Sequence, residues 1–97
     1  MDQFLISKNN TNFYVTGPYS DWFISEMNNN NWENDTFNII DYYKDTNKIY
    51  IDIGAWIGPT VLFSANKYNN IICFEPDPVA YDILNNNIEV NNFNNIN

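Results

Sequence analysis

The sequence predicts an α/β fold, the first half of a doubly wound parallel sheet, and three observations lead there. Two short runs of β-branched and aromatic residues, 49–53 and 71–74, read as buried strands. Each is followed by a segment that suits a helix and opens with proline, at Pro59 and at Pro78. Gly54 and Gly58 frame the bend between the first strand and its helix. Strands alternating with helices pair in parallel through right-handed crossovers, and sheets of this kind take ligands at the carboxyl ends of their strands.

Taken in chain order, residues 1–48 form an aromatic, acidic, weakly patterned lead-in with helical character. Gly17-Pro18 is a turn signal, and a short helix follows over 20–27. Trp32, Phe37, Ile40 and Tyr43 recur at helix-like intervals, which predicts a helix over 36–44 with Asp35 as its cap. Residues 49–97 read as a partial Rossmann-like domain. Its strand 49–53 runs into the glycine bend, and a helix covers 59–68. A turn at Asn69-Asn70 enters strand 71–74, which ends in Glu75. Asp77 caps the last helix and Pro78 occupies its first position. Ala80, Leu84 and Ile88 recur there at spacing four, flanked by Val79 and Ile83, as one apolar stripe. The final residues read as a loop entering a third strand. A doubly wound fold needs two such halves, so the sequence reads as truncated at its C-terminus: a fragment of a longer enzyme, one part of a split gene, or a remnant. Unpaired strand edges in such a piece invite association.

Composition narrows the partners. Four lysines and no arginine face twelve acidic residues in 97, a net charge of −8. Nucleic-acid binders show a clustered basic footprint, so nucleic acid is not expected as a partner, nor is a membrane surface. Cys73 stands alone and reads as a small hydrophobe within a strand. With no signal-like N-terminus and no long apolar run, the expected compartment is the cytoplasm. About a fifth of the residues are asparagine, in short runs broken by aromatic and aliphatic residues.

The bend itself is selective. A dinucleotide turn needs glycine wherever the pyrophosphate touches backbone, and here those positions hold Trp56 and Pro59. No Gly-Lys-Ser/Thr follows, so a phosphate-binding loop is also excluded. The ligand is therefore expected to be a nucleoside without phosphates. Glu75 ends the second strand at about the distance beyond Gly54 where a ribose-binding carboxylate is found, roughly 20 residues. A sugar diol, no phosphate and an amino-acid tail for the short bend together describe S-adenosylmethionine, with Asp52 orienting the bend and the ammonium.

"YIDIGAWIGPTVLFSA" followed by "FEPDPVAYDILNNNIEVNN" resembles the FkbM-type family of class I S-adenosylmethionine-dependent methyltransferases. The likeness spans roughly residues 32–92, with an Asp-x-Gly-Ala-x-x-Gly motif, a Phe-Glu-Pro-Asp-Pro motif and an Asn-rich helix at the family's spacing. The resemblance implies that Asp52, Gly54 and Ala55 lie on the cofactor loop and Gly58 at its exit. It likewise makes Glu75 the ribose acid and places Pro76 and Asp77 beside the adenine. It further implies O-methylation of a small-molecule or carbohydrate hydroxyl. No catalytic base can be named, since the chain has no histidine, and no metal site is expected. Trp56 reads equally as core packing or as pocket wall. Tyr19, Trp22 and Trp32 read as the anchor of the lead-in, with an acceptor pocket as the other reading. The alternative to an enzyme is an inactive fragment or remnant acting as an interaction module.

Overall fold

A computed structural model describes residues 2–17 and 21–97. The chain opens with an antiparallel hairpin of β1 (Gln3–Lys8) and β2 (Thr11–Thr16), in a region where the sequence reading contains no strand. Asn9 and Asn10 both take left-handed backbone angles, which matches the twist of a two-residue hairpin turn. Ile6, Phe13 and Val15 point into the core, Lys8 is buried on the face of Ile6, and Thr16 is buried against α4. Two buried polar residues break the apolar alternation by which a strand is recognised.

Two helices follow, α1 (Asp21–Asn28) and α2 (Asn34–Tyr42). Pro18, Tyr19 and Ser20, on which the turn signal and helix start were placed, lie outside the described residues. Phe23 and Met27 bury one side of α1, while Trp22 is exposed. Helix α2 buries Phe37 and Ile40 and leaves Tyr43, at its C-cap, exposed. It starts after Glu33, whose left-handed backbone opens the helix without a side-chain cap, so Asp35 sits in the first turn rather than capping it.

Strand β3 (Asp45–Ile53) pairs in parallel with β4 (Tyr68–Phe74), with Tyr50 opposite Ile71, Asp52 opposite Cys73 and Ile53 opposite Phe74. Both strands begin earlier than the sequence predicts. The polar stretch 45–48 extends β3 by way of a register shift between Asp45 and Ile49, and Asn69-Asn70 lies inside β4 instead of forming a turn. Helix α3 (Pro59–Ser64) is correspondingly shorter. Helix α4 (Pro78–Val90) is capped as expected, Asp77 accepting the Ala80 amide at 2.9 Å. It buries Ala80, Ile83, Leu84 and Asn87, while Val79 faces solvent. After α4, Ile96 bridges Ile71 in parallel on the side of β4 away from β3, the start of a third strand.

Helix α3 holds the layers together. Val61, Leu62 and Phe63 are buried, and the helix touches β2 on one side and β3 and β4 on the other. Each such side chain stabilises the fold by roughly 1.5–3 kcal/mol. On the opposite face of the sheet Ile49, Ile51, Ile53 and Phe74 are all more than half exposed. Parallel strands ordinarily have both faces covered. Among the described residues, no helix is long and apolar enough to cross a membrane.

Candidate functional site

The carboxyl ends of β3 and β4 meet at residues 53–58 and 74–77. The Phe74 carbonyl accepts the amides of both Gly54 and Ala55 at 2.9 Å, which folds the chain sharply back over the end of β4. Gly54 (φ 82°), Trp56 (φ 55°) and Gly58 (φ 102°) all take positive backbone angles, and the Gly58 amide closes the turn on the Ala55 carbonyl at 3.0 Å. For a tryptophan this conformation is strained. The indole is held by its neighbours, edge-on to Phe23 at 5.2 Å and tilted against Trp32 at 6.1 Å. A Cβ added at Gly54 would meet nothing within 4 Å, so the space over the bend is open to a ligand's approach.

Glu75 reaches back across this opening. Its Oε1 accepts the Trp56 amide at 2.7 Å and its Oε2 accepts the Asp77 amide at 2.8 Å. Each oxygen uses one lone pair on backbone and has another for a ligand hydroxyl. The carboxylate thus lies at the Gly54 bend rather than away from it. Pro76 and Asp77 are exposed on the same rim, with the Asp77 carboxylate occupied by the α4 cap.

On the other side of the bend is a cavity of about 330 Å³, walled by Asp52, Gly54, Ala55, Trp56 and Thr60, and by Trp32, Glu33 and Thr36 from the start of α2. Asp52 is half-buried and accepts the hydroxyls of Tyr50, at 2.9 Å, and Thr60. The Tyr50 phenol is pushed well above its ordinary pKa, first by burial and then by the neighbouring Asp52 charge. Asp52 thereby ties strand β3 to the first turn of α3, on either side of the loop.

Trp56 serves as core packing and pocket wall at once, and Trp32 joins it in the wall. Sequence reasoning missed Tyr50, Thr60, Glu33 and Thr36. Tyr50 was within reach, because residues two apart in a strand share a face. A larger open depression of about 720 Å³, near Asn10, Thr46 and Lys67, lies at the amino end of β3 and so away from the ligand edge of the sheet.

No family model matches the chain. An uncharacterized protein of Methanocaldococcus jannaschii is 36% identical over 59 residues, covering 61% of this chain and 23% of the relative; the chain thus spans about a quarter of that protein's length. Among solved structures, Trm5b from Pyrococcus abyssi superposes with a TM-score of 0.63 at 18% identity, over 98% of this chain and 27% of that one. TYW2 of M. jannaschii, solved in complex with AdoMet, superposes at 0.62 with 20% identity, over 98% and 41%. This is a class I methyltransferase-like fold. The complex of aTrm5 with tRNALeu matches equally, at 0.63 and 19% identity, over 98% of this chain and 26% of that one.

That last likeness corrects one expectation. The acidic composition predicts no nucleic-acid partner and the family resemblance implies a small-molecule or carbohydrate acceptor, yet a protein of this fold is solved on a tRNA. The charge argument failed because net charge describes only the stretch in hand. Where that stretch matches about a quarter of a chain, the basic surface that meets phosphates can lie in the remainder.

Proposed function

We propose that the chain is the cofactor-binding portion of an S-adenosylmethionine-dependent methyltransferase. The observation that supports this most is the Glu75 carboxylate bonded to the Trp56 amide, which puts an acid with spare lone pairs beside an open glycine bend. In this reading Glu75 accepts the ribose hydroxyls. Asp52, Gly54, Ala55 and Gly58 hold the amino-acid tail in and around the adjoining cavity. Pro76 and Asp77 border the adenine, and residues 49–97 act as the main cofactor unit, with the lead-in 1–48 supplying the start of β3 and the cavity wall at Trp32, Glu33 and Thr36. The bound cofactor would supply an electrophilic sulfonium methyl. The residues named here bind and orient it, and orientation alone is worth roughly 7–11 kcal/mol of a transfer barrier.

Two finer assignments rest on the motif resemblance alone: membership of the FkbM-type family and transfer to oxygen. The fold's occurrence on tRNA keeps nucleic acid among the acceptors to be tried. A cytoplasmic setting suits the free thiol of Cys73. The bare sheet face at Ile49, Ile51 and Ile53 favours a second reading, an interaction module that a partner covers.

Calorimetric titration with S-adenosylhomocysteine tests the cofactor reading. The chain is expected to bind, and Glu75→Gln to weaken binding by about tenfold or more. The substitution keeps one acceptor for the Trp56 amide but gives up the charge, and a charged hydrogen bond is worth about 1.5–3 kcal/mol. No binding, or binding indifferent to that change, sinks it.

A further inference from the structure

Asn87 on α4 is completely buried and makes three hydrogen bonds to two other segments. Its Oδ1 accepts the Thr16 backbone amide and the Thr16 hydroxyl, both at 2.7 Å, and its Nδ2 donates to the Ile57 carbonyl at 2.8 Å. The Thr16 hydroxyl oxygen is satisfied in turn by Asn86 Nδ2 at 2.7 Å. One carboxamide therefore joins the end of β2, the middle of α4 and the loop that runs from Gly54 to Gly58.

A second contact reinforces the first. One turn earlier on the same face of α4, Leu84 lies so close to Gly58 that an added Cβ would come within 2.6 Å of its Cδ1. Helix α4 starts three residues after Glu75, so the element that follows the carboxylate also grips the loop the carboxylate bonds.

The geometry points to Asn87 as a positioning residue for the cofactor loop: it fixes the Ile57 carbonyl, and with it the 57–58 peptide next to Trp56, whose amide the Glu75 carboxylate accepts. This inference rests on the cofactor reading above. Only a carboxamide serves here. Aspartate would set a carboxylate oxygen against the Ile57 carbonyl with nothing to donate, and leucine would leave a buried amide and a buried carbonyl unpaired.

The test uses the 97-residue chain with Asn87→Leu and Asn87→Asp, and Asn91→Leu for comparison. Asn91 bonds the Tyr14 amide and carbonyl at 2.8 Å each, so its loss removes a tie between the hairpin and α4 without touching the loop. Hydrogen exchange is followed at the Gly58 and Trp56 amides alongside titration with S-adenosylhomocysteine, at temperatures matched to each variant's Tm. Both Asn87 variants are expected to speed loop exchange and weaken binding by about tenfold, the worth of one buried hydrogen bond. Asn91→Leu is expected to stay near the parent in both. Equal effects from Asn91→Leu, or loop exchange unchanged in the Asn87 variants, overturn the inference. If those variants fail to fold, Thr16→Val removes the hydroxyl with its bonds to Asn87 and Asn86 and keeps the bond from the Thr16 amide to Asn87. It should then speed loop exchange about threefold, and an unchanged rate overturns the inference again. If the parent chain binds no S-adenosylhomocysteine, the cofactor reading falls, while the exchange measurement still decides the role of Asn87.

Discussion

Replacing Gly58 by alanine isolates two costs that the structure separates. The backbone angle of 102° is open to glycine, and an L-residue forced there loses about 1–2 kcal/mol. The new methyl would also sit 2.6 Å from Leu84 Cδ1. That atom ends a flexible side chain, but Leu84 is only 2% exposed and has little room to swing, so overpacking adds about 1 kcal/mol, the lower end of its usual range. The sum is about 2–3 kcal/mol, a large share of the roughly 5–15 kcal/mol expected for a chain of this size. Urea unfolding followed by tryptophan fluorescence measures it. Adding Leu84→Ala should recover about 1 kcal/mol of the packing part as a coupling energy, leaving the backbone part in place. A single-variant loss below about 0.5 kcal/mol, or strict additivity in the double variant, would refute the reasoning.

Gly54→Ala, where φ is 82° but no atom lies within 4 Å of the added Cβ, should cost only the backbone part, about 1–2 kcal/mol in the same urea assay, while intruding on the ligand's space in titration. Burial lowers the pKa of the Lys8 ammonium, which lies between Asn30 and Asn34 and over the Phe37 ring. The unfolded chain therefore holds more protons in the window between the lowered value and 10.5, and stability should rise with pH across it. Lys8→Met should flatten that rise in denaturation curves taken along the pH series. Ile51→Lys on the bare sheet face should reduce concentration-dependent association, seen by sedimentation, and change the unfolding midpoint little, since Ile51 is already 59% exposed.

What the sequence disclosed and what it hid follow from the range of the interactions. The Asp77 cap is set by neighbours a few residues apart, and the glycine bend and Glu75 stand one strand–helix–strand unit apart, a spacing the sequence displays. The hairpin is set otherwise. Lys8 sits inward because amide oxygens from Asn30 and Asn34 and the ring of Phe37 receive it, and Thr16 because Asn87, 71 residues away, satisfies it. No local pattern announces such partners. The same reason hid the pocket wall: Glu33 and Thr36 reach the cavity through the packing of Trp32 on Trp56 and of Phe37 on Phe63. Asn69 and Asn70 read as a turn because asparagine favours turns, yet pairing with β3 carries the strand through them.

Asparagine also sets the temperament of the scaffold. Asn28 bonds the Ser7 amide and the Leu5 carbonyl along the outer edge of β1, as Asn91 does for Tyr14 along β2, so both margins of the hairpin are sealed by side-chain amides. A carboxamide neither gains nor loses a proton in water and responds little to dissolved salt. A polypeptide with three acids for every base has thus fastened both margins of its hairpin with groups indifferent to acidity and ionic strength.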